Sequence, residues 1–126
     1  MLVVLIVDDS ALARMIVRRC FSIAGLGDVE FLEAEDGVVA LTALRGRAVD
    51  LVIADLNMPN LDGEGLLAAM QADAALKSVP VVVCSSVVSE AREQRLRAGG
   101  ARDVLSKPLA PAHVRSVVQS FLEARA

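Results

Sequence analysis

The sequence predicts an α/β domain, with helices covering both faces of a parallel sheet. Three observations carry this. Continuous apolar runs rich in β-branched residues recur at 2–7 (LVVLIV), 51–54 (LVIA) and 81–84 (VVVC), the pattern of strands buried on both faces. Segments with helical spacing separate them, and Gly, Pro, Asp and Asn gather at the junctions. At 126 residues the chain has the length of one domain. It is 55% hydrophobic but only 2% aromatic, with Phe21, Phe31 and Phe121 and no Trp or Tyr. The core must therefore be aliphatic.

Element by element, the first strand spans 2–7. A helix follows from 10 to 24, with apolar positions at Leu12, Met15, Ile16, Cys20 and Ile23, closed by Gly25 and Gly27. Residues 29–34 form a partly exposed strand. Asp36-Gly37 is a turn, and 38–44 a short helix packing on Val39, Ala40 and Ala43. The third strand is 51–54, and the stretch from Asp55 to Gly63 is a loop. Residues 65–72 are helical. Pro80 opens the fourth strand at 81–84, and 90–98 is a charged helix ended by Gly99-Gly100. A short strand at 102–105 and a helix at 111–124, with Pro111 at its first turn, complete the chain. Five strands alternating with five helices imply right-handed crossovers. The expectation is a single domain over 1–126, with no effector domain attached.

Composition excludes several functions. The longest apolar runs, such as 1–7, fall far short of the ~20 residues needed to cross a bilayer, and no basic segment precedes that run to make it a signal peptide. Net charge is −3, so no basic field attracts nucleic acid. The aromatic platforms that stack single strands are missing. Cys20 and Cys84 lie in apolar surroundings without metal-ligand spacing, which suits buried thiols and a cytoplasmic location. A dinucleotide site is disfavoured because Ala11–Ala13 replaces the required glycines after the first strand.

Ligands of open parallel sheets bind beyond the carboxyl ends of the strands. Asp8 and Asp9 follow the first strand, and Asp55 the third. Ser85 and Ser86 follow the fourth, and Ser106-Lys107-Pro108 the fifth. Each has an ordinary structural explanation: Asp9-Ser10 as a helix cap, Asp55 as a turn residue, Ser85 and Ser86 as caps, Lys107 as a solvated lysine. Capping does not explain why all of them gather on one sheet edge. Three close carboxylates repel unless a cation joins them. A hard divalent ion, Mg²⁺ with Mn²⁺ as a substitute, suits oxygen ligands. Three carboxylates, one such ion and Lys107 sum to zero charge, which lets the pocket accept a phosphoryl group.

These residues resemble a family. Val7-Asp8-Asp9-Ser10, Asp55-Leu56-Asn57-Met58-Pro59, Asp62-Gly63, Pro80 with Ser85, and Lys107-Pro108 are similar, in order and over essentially the whole chain, to the response-regulator receiver domain. The resemblance implies a doubly wound, flavodoxin-like sheet of five parallel strands in 2-1-3-4-5 order flanked by five helices. It implies that Asp55 accepts a phosphoryl group from a histidine kinase or phosphotransfer domain. Asp8, Asp9, Asp55 and the backbone carbonyl of Asn57 would hold Mg²⁺. Ser85 stands at the switch position, Lys107 would contact phosphoryl oxygens, and the Lys107–Pro108 bond is expected to be cis. Pro59 and Gly63 would be structural. Asn57 and Val87 would tune dephosphorylation, the apolar Val87 lengthening the phosphoryl lifetime.

The expected function is a two-component signalling switch. It would catalyse its own phosphorylation and slow dephosphorylation and then change affinity for a partner protein. Asp8-Asp9-Ser10-Ala11 with Arg14 and Arg18-Arg19 resembles the chemotaxis subgroup. One departure is Val104, where the family often carries a Tyr or Phe that moves on phosphorylation. That leaves a non-phosphorylated scaffold or docking module as the alternative. A phosphoesterase is disfavoured by Asn57, where such hydrolases need an acid. The output face in this family joins the fourth helix, fifth strand and last helix, where Arg92, Glu93, Arg95 and Arg97 make the fourth helix charged. That face would meet an as yet unidentified target. Arg18 and Arg19 are candidates for kinase docking, and His113 for a surface residue. A monomer is expected, with dimerisation on phosphorylation as an option, and no direct nucleic-acid or membrane contact.

Overall fold

A computed structural model describes residues 1–86 and 89–125. Ten elements alternate: β1 (Leu2–Val7), α1 (Ala11–Ala24), β2 (Val29–Ala34), α2 (Gly37–Gly46), β3 (Leu51–Asp55), α3 (Gly63–Gln71), β4 (Val81–Ser85), α4 (Glu90–Ala98), β5 (Asp103–Ser106) and α5 (Pro111–Arg125). The strands form one parallel sheet in the order β2-β1-β3-β4-β5. This is the doubly wound order that the resemblance implies.

Side chains alternate across the sheet and so build two cores. Val4, Ile6, Ile53, Val82 and Cys84 face α1 and α5, where they meet Val17, Phe21, Val114 and Phe121. Leu5, Val7, Val52, Val81 and Val83 face the other way, toward Ala40 and Leu44 of α2, Leu66 and Met70 of α3, and Leu96 of α4. The central strands are buried on both faces, which is why they read as unbroken apolar runs. Each fully buried Val, Leu or Ile contributes about 1.5–3 kcal/mol. No described helix is long and apolar enough to cross a membrane.

Several expectations are corrected. The apolar stripe of α1 is turned about the helix axis relative to the one read from the sequence. Leu12 and Ile23 are 64% and 65% exposed, and Met15 and Ile16 are exposed as well. Val17, Cys20, Phe21 and Ala24 are the buried face. The helix has more apolar residues than one face can hold. Packing against α5 and the Phe21–Phe31 edge-to-face pair, with ring centroids 5.4 Å apart, selects which are covered. Val39 of α2 is also exposed, and Leu44 is buried instead.

Helix starts also shift. Asp36-Gly37 is no free turn: Asp36 caps α2 by accepting from Val39 N at 2.8 Å, and Gly37 opens the helix. Asp62 caps α3, which begins at Gly63. Ser10, not Asp9, caps α1 through Ala13 N, and Ser89 caps α4, the place the sequence reading offered to Ser85 and Ser86. Asp55 and Ser85 are the last residues of their strands, and β5 sits one residue later than expected.

Candidate functional site

The parallel register carries the chemistry to one edge. Val7 is level with Ala54, so Asp8 and Asp55 emerge side by side where β1 and β3 end. Asp8 and Asp55 continue the alternation of Ile6 and Ile53, and with them line a cavity of about 360 Å³ on the α1/α5 side. Val17, Cys84 and Pro108 form more of its wall. This apolar surround keeps the local dielectric low and strengthens the charge interactions at its mouth.

Carboxylate oxygens of Asp8, Asp9 and Asp55 lie within 4.8 Å of one another. Asp8 is buried and Asp9 is exposed, with Asp55 between. Lys107 Nζ donates to Asp8 Oδ2 at 2.9 Å and stands 2.9 Å from Asp55 Oδ1. Its side chain is only 28% exposed, so it is not the solvated lysine of the ordinary explanation. Burial pulls the Lys107 pKa down, but its bonds to Asp55 and Asp8 outweigh burial and hold it above the ordinary 10.5. The ammonium is therefore charged throughout the neutral range. Its contribution is complete below 10.5 and is lost only as pH rises through the elevated folded value.

The turn that delivers Lys107 is built from backbone. Lys107 N donates to Ser85 O at 2.8 Å, and the Lys107–Pro108 peptide is cis. Ser85 is buried beside Cys84, level with Ser106 of β5. Burial pushes the Cys84 thiol up to about 12.

Behind Asp55, Leu56 N donates to Cys84 O, and Gly63 N donates to Leu56 O, both at 3.0 Å. Asn57 and Pro59 lie exposed in the loop between β3 and α3. That loop is strapped down by a pair the sequence reading did not single out. Asn60, at φ 65°, donates from Nδ2 to Asp36 Oδ2 at 2.7 Å, and Gly37 N donates to Leu61 O at 3.0 Å. Asn is among the few residues at ease in that left-handed conformation. Val39 N and Asn60 together hold the Asp36 carboxyl below its ordinary 3.8.

Arg14, named in the sequence only for its chemotaxis-type pattern, forms a second unforeseen tie, with Glu33. Arg14 Nη1 donates to Asp8 O at 2.5 Å, and its Nε donates to Glu33 Oε1 at 2.8 Å. Arg18 donates to Glu33 Oε2 at 3.0 Å and lies 5.3 Å from the Phe31 ring centroid. Glu33 is lowered in pKa chiefly by its hydrogen bond to Arg14.

Three carboxylates facing one lysine leave negative charge to be balanced. The donor set is all oxygen. Both features fit a divalent cation of the Mg²⁺ or Mn²⁺ kind.

The family of response regulator receiver domains matches residues 4–119. The chain belongs to this family. Among curated relatives, the chemotaxis protein CheY-3 of Vibrio cholerae is 34% identical over 122 residues, which cover 95% of this chain and 91% of the relative. A protein-glutamate methylesterase/protein-glutamine glutaminase of Anaeromyxobacter dehalogenans is 38% identical over 95% of this chain. The chain spans about a third of that enzyme's length. Among solved structures, the chemotaxis response regulator CheY4 of Vibrio cholerae superposes with a TM-score of 0.84 at 30% identity, covering 96% of this chain and 98% of that one. The Mn²⁺-bound response regulator Rcp1 superposes at 0.77 with 25% identity, over 96% of this chain and 91% of that one.

The remaining sequence candidates divide by position. Val104 is buried on the α3/α4 side of β5. The α4 arginines are engaged: Arg92 and Arg95 pair with Glu64 at 3.2 and 3.0 Å, and Arg97 with Asp103 at 2.6 Å. Arg19 and His113 are exposed. Val87 lies outside the described residues.

Proposed function

We propose that this receiver accepts a phosphoryl group on Asp55 from a phosphohistidine of a histidine kinase or phosphotransfer domain. The observation that carries this is Lys107 Nζ, held 2.9 Å from both Asp8 and Asp55 within a cluster of three acids. An Asp55 carboxylate oxygen attacks phosphorus, the P–N bond breaks, and the imidazole leaves with its electron pair. Asp8, Asp9, Asp55 and the Asn57 carbonyl would hold Mg²⁺ or Mn²⁺, which when bound neutralises charge on the transferring oxygens. Lys107 turns from its two carboxylates to the phosphoryl oxygens, and the Ser85 hydroxyl donates to them. Pro59 and Gly63 shape the loop and helix start behind Asp55.

The state of Ser85 and the β5 edge around Val104 would then alter affinity for a protein target at the α4–β5–α5 face. Relatives named for chemotaxis support a chemotaxis-type, non-transcriptional output. Two free, buried cysteines support a cytoplasmic setting. A small phosphodonor with Mg²⁺ should add one phosphoryl mass to the chain. No gain, or a gain that persists in Asp55→Asn, overturns the reading.

Val104 favours a second reading. A valine cannot report phosphorylation by ring rotation, as befits a docking module that is never phosphorylated. Such a module need not bind Mg²⁺ near Asp55, so an NMR titration with the metal separates the two.

A further inference from the structure

We infer that Arg14, clamped by Glu33, is a positioning residue for the metal-binding acids and acts through the Asp8 carbonyl. The inference rests on the reading of Asp8, Asp9 and Asp55 as a cation site. Arg14 lies near the start of α1 with its side chain only 17% exposed. Its guanidinium bridges two strands' ends: Nε to Glu33 on β2, and Nη1 to the carbonyl of the peptide that joins Asp8 to Asp9. Beneath that bridge, β2 and β1 are already in register at Ile6 and Glu33, and Asp8 N donates to Ala34 O at 3.0 Å.

The other acceptors of Asp8 are also committed. Oδ1 accepts from Ser10 N at 2.9 Å, and Oδ2 from Lys107. Asp9 is exposed. What aims Asp9 is therefore the peptide before it, and Arg14 holds the carbonyl of that peptide. A guanidinium reaches two acceptors in fixed directions, whereas a lysine is a point charge on a flexible stem. Removing a group that orients metal ligands from behind typically costs about 10- to 100-fold in metal affinity.

Charge alone predicts the opposite. A cation beside a cation site opposes metal binding. If Arg14 matters only as charge, its removal tightens Mg²⁺ binding. If it matters as a clamp, removal weakens binding. For Arg14 the two explanations differ in sign; for Glu33→Gln both predict weaker binding, so Glu33→Gln serves in the double-variant comparison.

The test is an NMR-monitored Mg²⁺ titration of the wild-type chain and of Arg14→Gln, Arg14→Lys, Glu33→Gln and the Arg14→Gln/Glu33→Gln double variant. Metal-free thermal unfolding serves as the fold control. Each single variant should weaken Mg²⁺ about tenfold, the low end of that range, because the clamp is partly exposed at Glu33. The double variant should be no weaker than Arg14→Gln, because both break one clamp. Tighter binding in Arg14→Gln, wild-type affinity in Arg14→Lys, or unchanged affinity with only a lowered melting temperature overturns the inference. A wild-type chain without saturable Mg²⁺ shifts at Asp8, Asp9 and Asp55 instead overturns the cation site on which it rests.

Discussion

A Cβ on Gly63 would stand 2.5 Å from the backbone carbonyl oxygen of Asp55 and 2.9 Å from Leu56 Cα. The start of α3 thus presses on the end of β3, directly behind the proposed phosphoacceptor, and only a residue without a side chain allows it. Both obstructing atoms are backbone, which cannot rotate away. Gly63→Ala should therefore cost about 1–3 kcal/mol of stability and slow phosphorylation of Asp55. Thermal unfolding and phosphodonor kinetics check this, and a melting temperature equal to wild type would refute it.

The strap between Asp36 and Asn60 should show as acid sensitivity. Asp36 is held below its ordinary 3.8 by the Val39 N–H and the Asn60 amide. A depressed carboxyl stabilises the fold above its unfolded value and loses that contribution as pH falls through the folded one. The stability difference between wild type and Asp36→Asn should be constant above about pH 4 and close at lower pH. Denaturant titrations across that range test this. A difference that grows on acidification would contradict the assigned direction.

The legibility of the site followed its chemistry. Asp8 and Asp55 were readable because each directly follows a buried apolar run, Asp9 because it adjoins Asp8, and Lys107 because it stands beside Pro108 just past a short strand; the parallel register brings these positions together. The ties of Asn60 to Asp36, Gly37 to Leu61 and Arg14 to Glu33 were not, because the partners lie on other elements and only the packed fold brings them into reach. The α1 face was misread for a related reason. Leu12, Met15, Ile16 and Ile23 have helical spacing, but so do Val17, Phe21 and Ala24, and periodicity alone does not choose between two apolar faces. The choice belongs to α5 and Phe31, which are distant in sequence.

Lys107 should affect metal and phosphoryl group in opposite directions. It is the cation that pairs with both Asp8 and Asp55, so it competes with any ion that binds there. Lys107→Ala should bind Mg²⁺ between about two- and tenfold more tightly, solvent at the partly exposed ammonium keeping the gain well below the unscreened Coulomb value. The same change should slow phosphorylation by about a hundredfold, because a donor to the transferring oxygens is gone. Calorimetric Mg²⁺ titration and phosphodonor kinetics on one preparation read both. Weaker metal binding in the variant would show that Lys107 organises the acids rather than competing for them.

Cys84 lines the same cavity as Asp55 and Lys107, a place where a reactive thiol would endanger the site. Burial raises it to about 12, and the nearby carboxylates add to the rise, against the opposing pull of Lys107. The thiolate is the species that reacts, and at pH 8 almost none is present in the folded chain. Cys20 is also buried and raised by burial. Alkylation of the native protein at pH 8 should leave both cysteines unmodified over a period that labels the urea-unfolded chain completely. Mass spectrometry of the two samples reads the difference. Rapid labelling of Cys84 in the folded chain would mean that the cavity opens to solvent far more often than its packing implies.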